Sequence, residues 1–208
     1  MQPPLLPLFP LQAVLFPRVP LPLHIFEERY KEMFGELTES KGEFGVVWAG
    51  EKGIASFGCT AVVDRVLERY GDGRLDLATS GRRRFEIQKL DNERTFLRGE
   101  VEFFDDEDPD AVPPADRKRA VDGWKELTSI EGAGHEPRWE DPQLSFQLAE
   151  GIPDLEFRQT LLAIRSESRR MRELAEFFPA YVSRQRHAQH VQTVAPRNGH
   201  GKRVVADE

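Results

Sequence analysis

A single cysteine, Cys59, stands in 208 residues. No internal disulfide can form and no thiol ligand spacing for zinc exists, which points to a reducing compartment, the cytoplasm. Long apolar runs are missing too. Residues 1–26 are rich in Leu, Val and Phe, but Pro3, Pro4, Pro7, Pro10, Pro17, Pro20 and Pro22 interrupt them and no basic segment precedes them. Neither a signal peptide nor a membrane helix, which needs about 20 continuous apolar residues, is expected. The chain lacks GxxxxGKS/T, so the main-chain cradle for a triphosphate is absent, and it lacks GxGxxG, GxSxG, HExxH and CxxC. No enzyme, cofactor or metal is expected on these grounds.

Positive charge is in deficit. The formal net charge is -7, which opposes a general attraction to nucleic acid or anionic membranes. The imbalance is local: Glu100, Glu102, Asp105, Asp106, Glu107, Asp108 and Asp110 form a run with no Lys or Arg among them. With Pro109, Pro113 and Pro114 this run has the character of a linker, placed at 106–114.

What is there in quantity is apolar: 39% hydrophobic residues, including 14 Phe, enough for a real core. Residues 1–105 read as β-structure. Ala55, Phe57, Cys59, Ala61 and Val63 alternate as one face of a half-buried strand, and Leu75 and Leu77 continue the pattern after the turn Gly71-Asp72-Gly73. A second hairpin near Asp91-Asn92 joins the run around Phe85 to Leu97, Val101 and Phe103. Many short strands with little helix between them predict a small barrel. One helix interrupts it, from about Phe26 to Thr38, because Phe26, Tyr30, Met33, Phe34 and Leu37 recur at helical spacing.

From Ala115 the period becomes helical, with Val121, Trp124 and Leu127 three apart. Asp141-Pro142 predicts a helix start, Asp154 a cap for the next helix, and a break is placed near Ser166 to Ser168. Residues 115–190 are therefore expected to form a helical bundle, and 191–208, poor in apolar residues, a disordered tail. The overall class is α+β.

Two side-chain sets invite a chemical reading. The histidines offer little: His187 and His190 share a helical face with no acidic or Cys partner nearby, so a solvated helix end is the default over a metal site. His24, inside Pro22-Leu23-His24-Ile25-Phe26, reads as structural at a strand-to-helix junction, with a lesser reading in which it lines a binding site. The basic run Gly81-Arg82-Arg83-Arg84-Phe85, with Arg94 and Arg98 on a neighbouring strand, is the candidate for contact with RNA phosphates, through Arg82, Arg84 and Arg98. Alternation puts Arg82 and Arg84 on one face and Arg83 on the other, which halves that patch. Pairing with the many carboxylates is the favoured reading.

The opening Leu5-Leu6-Pro7-Leu8-Phe9-Pro10-Leu11, then Val14-Leu15-Phe16-Pro17, then Leu21-Pro22-Leu23-His24-Ile25-Phe26-Glu27-x-Arg29-Tyr30, is similar to the opening signature of Lon substrate-binding domains. Phe44-Gly45-Val46-Val47, Gly58-Cys59-Thr60-Ala61, Asp72-Gly73-Arg74-Leu75 and Gly81-x-x-Arg84-Phe85-x-Ile87 resemble further elements of that family. The helical half resembles it more loosely. Arg18 replaces the family's usual Gly after Phe16-Pro17, and Glu28 its usual Pro before Arg29-Tyr30.

The resemblance implies a PUA-like β-barrel with one inserted helix followed by helices, standing alone without the ATPase and peptidase domains of full Lon proteases. It implies a non-catalytic module that binds unfolded or flexible polypeptide segments, as an adaptor or chaperone-like protein in quality control, working with a protease or ATPase partner. Phe16, Leu23, Phe26, Tyr30, Met33 and Phe34 are the candidates for the polypeptide-binding surface, against the competing reading that apolar residues at this spacing form core. RNA binding by the PUA-like barrel is the alternative function. An enzyme or small-molecule receptor with its site in the barrel mouth is a third.

Overall fold

A computed structural model describes residues 5–107, 111–132 and 136–194, and among these described residues there are six strands and five helices. The strands are β1 (Leu6–Leu11), β2 (Pro20–Ile25), β3 (Glu43–Gly50), β4 (Gly53–Arg69), β5 (Leu75–Asp91) and β6 (Arg98–Phe104); the helices are α1 (Glu28–Ser40), α2 (Pro114–Glu131), α3 (Leu144–Ala149), α4 (Leu155–Ala163) and α5 (Glu167–Val194). The class is α+β, with one mixed sheet ordered β2-β5-β4-β3-β1-β6. β5 also pairs with β6, which returns the sheet on itself and makes the ring β5-β4-β3-β1-β6 a closed barrel. Only β1 with β3 is parallel, and α1 supplies the crossover on the way between them.

β5 can serve both closures because it is long. Leu75–Ser80 pair with β2, and Arg84–Asp91 pair with β6, along the same edge. Its turn from β4 is the expected one: Gly73 takes φ +86 and donates its N–H to the Tyr70 oxygen at 3.0 Å, a geometry that glycine adopts without strain.

The core explains the glycines of the sequence motifs. The Phe85 ring is fully buried between β3 and β4, and a Cβ on Gly45 or Gly58 would stand 2.6 or 2.4 Å from its Cζ. The three motif segments thus meet around one aromatic ring, packed too closely for a methyl group. A second aromatic set lies under α1, where Phe9 packs edge-on against Tyr30 and Phe34 with ring centroids 4.5 and 5.3 Å apart.

Arg18, where the resemblance leads one to expect glycine, adopts φ +64. A left-handed non-glycine residue is costly, and Arg18 has compensation: its guanidinium donates to Asp141 at 2.8 Å and to Gln143 at 2.9 Å. Asp141 does not open a helix, although the Asp141-Pro142 pair predicts one. Its carboxylate accepts from the Gln143 N–H at 2.9 Å and the Gln147 side chain at 2.8 Å, and α3 begins only at Leu144. Asp154 does cap α4, accepting from the Phe157 N–H at 2.9 Å.

The described residues fall into two compact units, Met1–Ala111 with Pro137–Arg170, and Val112–Glu136 with the chain from Met171 onward. This division departs from a boundary at 106–114. The helices α3 and α4 belong with the strands: Arg158 donates to the Val14 oxygen at 2.6 Å and Gln159 to the Phe57 oxygen at 2.9 Å. Asp106, read as linker, accepts from two buried guanidiniums, those of Arg84 and Arg170. In the second unit α2 lies against α5, with Phe178 seated on Gly123 and Arg119 donating to the Ala175 oxygen at 3.2 Å. The tail expected to be disordered falls from residue 195 outside the described residues, and α5 is helical as far as Val194.

Candidate functional site

Five of the six apolar candidates are core. Phe16, Met33 and Phe34 have no solvent exposure, Tyr30 has 7% and Leu23 has 9%. The physical reason is the spacing that nominated them: the apolar stripe of an amphipathic helix faces the protein that carries it. Phe16 is stacked on Phe146, centroids 5.0 Å apart.

Phe26 is different, with 61% of its surface exposed. It precedes the first turn of α1, where the chain leaves β2 and the helical register has not begun, so nothing directs its ring inward. It lines an open groove of about 630 Å³ together with Pro10, Leu11, Leu23, Tyr30, the charged Glu27 and Arg29, and Ile54 of the β3–β4 hairpin. The structure therefore brings together Leu23, Phe26 and Tyr30, and leaves out Phe16, Met33 and Phe34. Burial pushes the Tyr30 hydroxyl above its ordinary pKa, against the charge of Arg29.

Ile54, 37% exposed, went unnoticed in the sequence. Its signal is a large apolar side chain just after the polar hairpin tip Glu51-Lys52-Gly53. Beyond this hairpin lies a second depression, of about 940 Å³, which shares Ala49 and Ile54 with the first and is lined further by Trp48, Leu155 and Gln159. The Gln159 amide donates to the Phe57 oxygen, and its own oxygen is buried without a hydrogen-bond partner. The two depressions meet at Ala49 and Ile54, where apolar side chains stand among the polar Gln12, Glu51, Lys52 and Glu156 of the second and Glu27 and Arg29 of the first, a mixed surface of the kind that holds a side chain.

His24 lines the first groove. Its Nδ1 lies 2.5 Å from Asp76 Oδ1, and the other Asp76 oxygen accepts from the Tyr70 hydroxyl at 2.8 Å. These hydrogen bonds, first from His24 and then from Tyr70, hold the Asp76 carboxyl below its usual range. Among the described residues, no group of three or more His, Cys, Asp and Glu stands where it could hold a metal ion, and no helix is long and apolar enough to cross a membrane.

The basic candidates disperse. Arg84 is 1% exposed and engages Asp106 and the main chain of Leu162 and Ile164. Arg98 pairs with Asp91 at 2.7 Å, and Arg82 stands 3.6 Å from Asp64. Arg82 and Arg84 do not share a face, because the register slips between Cys59, opposite Arg84, and Ala61, opposite Gly81. That bulge inserts one extra residue in β5, leaving Arg82 and Arg83 both outside and Arg84 inside. The Thr60 hydroxyl accepts the Arg83 N–H at 3.1 Å across it.

Residues 5–183 match the model of the ATP-dependent protease La (LON) substrate-binding domain. A Lon protease of Parabacteroides distasonis is 32% identical over 114 residues, half of this chain, and the match spans 14% of that protein's length. Among solved structures, the Lon N-terminal domain protein from Xanthomonas campestris superposes with a TM-score of 0.69 at 26% identity, covering 85% of this chain and 99% of that one. The N-terminal domain of Mycobacterium avium complex Lon protease gives a TM-score of 0.60 at 14% identity, covering 85% and 98%, a likeness of fold.

Proposed function

Because the chain belongs to the Lon substrate-binding domain family, we propose that it holds segments of other polypeptides without making or breaking a bond, and holds them in the groove between Phe26 and Ile54. The carrying observation is Phe26. A phenylalanine ring 61% exposed beside Leu11, Leu23 and Ile54 of the same groove costs free energy unless something covers it, and an apolar side chain of an unfolded segment recovers that cost. The groove runs on past Ile54 to Trp48, which gives an extended segment room for more than one side chain.

The same reading assigns the protein to quality control in the cytoplasm, as an adaptor or chaperone-like partner of a protease or ATPase. The single Cys59, buried and with its thiol pushed by that burial up to about 12, suits a compartment where disulfides are not used.

Binding of a permanently unfolded polypeptide, such as reduced and carboxymethylated lactalbumin, tests the proposal by fluorescence anisotropy. Phe26→Asp and Ile54→Asp are each expected to weaken it about tenfold or more, since placing a carboxylate against an apolar contact forfeits at least about 1.4 kcal/mol. Unchanged affinity in both folded variants overturns the reading.

A further inference from the structure

The imidazole of His24 is held more firmly than a solvated side chain needs. Its side chain is 47% exposed, yet three neighbours fix it. Asp76 lies directly across the β2–β5 pairing and takes its Nδ1, Tyr70 steadies Asp76 from the other oxygen, and Phe26 lies along the ring with centroids 6.0 Å apart and planes 26° apart. Arg74 in turn lies over the Tyr70 ring at 4.7 Å. An ionised carboxylate only accepts, so the proton of the His24–Asp76 bond sits on Nδ1. With Nδ1 engaged in this way, a neutral ring presents its lone pair at Nε2.

We propose that His24 Nε2 is the polar anchor of the groove, accepting a main-chain N–H from an extended polypeptide whose adjoining apolar side chain lies on Phe26 and Ile54. This rests on the reading of the groove as a polypeptide site. The occupant follows from the chemistry around the acceptor. The two charged residues of the groove, Glu27 and Arg29, already pair with each other at 2.8 Å, so a charged donor entering beside Leu11, Leu23 and Ile54 would lose more in desolvation than one hydrogen bond returns, while a carboxylate is repelled by Asp76. A neutral amide suffers neither penalty, and every residue except proline brings one.

The β2 edge adds a second constraint. Gly81 donates its N–H to Val19 at 2.9 Å, so hydrogen-bonded pairing with β5 continues at Leu21, Leu23 and Ile25, and Pro20, Pro22 and His24 turn their main-chain positions outward. Two of those three lack an N–H. A client strand therefore cannot zip along this edge: the outward positions of Pro20 and Pro22 offer carbonyl acceptors but no donor, so what this face offers a client main chain is mainly acceptors, and His24 Nε2 is the one that stands in the groove. Such a grip reads no sequence beyond an apolar residue next to a free amide.

The experiment uses the whole chain and a short capped peptide with a Leu-Phe-Leu centre, alongside the same peptide N-methylated at the central amides. His24→Leu is expected to weaken the parent peptide about fivefold to tenfold, as loss of one buried hydrogen bond does, and to leave the already weak N-methylated peptide unaffected. His24→Gln, which keeps an acceptor, recovers part of the loss, and the Nε2 nitrogen-15 resonance of wild-type His24 shifts on titration with the parent peptide alone. Equal weakening of both peptides makes His24 a packing contact and overturns the anchor. If His24→Leu binds the parent peptide normally while Phe26→Asp does not, the anchor falls and the groove stands. If Phe26→Asp also binds normally, both fall.

Discussion

Arg84 donates through one terminal nitrogen to Asp106 at 2.7 Å and through the other to the main-chain oxygen of Ile164 at 2.6 Å, so a guanidinium rooted in β5 ties the barrel to the segment between α4 and α5. Arg170 comes to the same carboxylate from the start of α5, donating to both its oxygens at 2.6 Å, and also reaches Glu167 at 2.8 Å and Ser145 at 2.9 Å. Both arginines are buried. Removing one member strands the others without solvent: Arg84→Met and Asp106→Asn are each expected to lower stability by about 3–5 kcal/mol, read from urea unfolding. A loss below 1 kcal/mol would mean that water reaches the cluster.

Acid should find the same cluster. Although burial works against it, the hydrogen bond and charge of Arg170, with the charge of Arg84, hold the Asp106 carboxyl below its usual range. A carboxyl whose folded pKa is depressed stabilises the fold above its unfolded pKa and loses that contribution as pH falls through the folded value. Glu167 runs the opposite way: burial raises its pKa, outweighing Arg170 and Ser145, so its contribution is full below the unfolded pKa and fades as pH rises through the folded one. The stability gap between wild type and Asp106→Asn should therefore shrink as pH is lowered from neutrality through the carboxylate range. A gap constant with pH would contradict this.

Gly58→Ala places a methyl group 2.4 Å from the Phe85 ring and 2.7 Å from the Val46 oxygen. Overpacking of this kind costs about 1–3 kcal/mol. Phe85→Leu costs stability by itself, but the double variant should lose less than the sum of the two, because a smaller side chain makes room. Simple additivity in thermal unfolding would show that the two residues do not compete for the same space.

Arg18 separates backbone strain from side-chain pairing. Arg18→Ala keeps φ +64 and loses the bonds to Asp141 and Gln143, whereas Arg18→Gly loses those bonds and relieves the strain. Glycine should be more stable than alanine here by about 1 kcal/mol, the reverse of their usual order within regular structure.

Cys59 has no exposure, and burial raises its thiol pKa to about 12. Maleimide should label it only when the protein unfolds. Labelling at the rate of a free thiol under native conditions would place Cys59 on a surface.

The barrel was legible in the sequence because alternation and turn chemistry are local. Ala61, Leu75 and Leu77 are buried as their spacing requires, and the Gly71-Asp72-Gly73 turn is where it was expected. The groove was half legible. Helical periodicity found Phe26 together with Met33 and Phe34, but periodicity cannot tell a stripe facing the core from one facing a ligand. Phe26 escaped burial only because it precedes the helix. The fate of Arg84 was out of reach, since one inserted residue in β5 reverses the alternation, and its partners lie 22 positions away at Asp106 and 80 at Ile164.

Under the proposed function, the prolines of β2 would protect their owner as well as limiting what it holds. A protein that handles denatured chains is surrounded by the raw material of fibrils, and a complete outer row of amide donors would let those chains stack on it and recruit others. With Pro20 and Pro22 interrupting that row, a module with the proposed function could touch sticky sequences repeatedly and still let go of them.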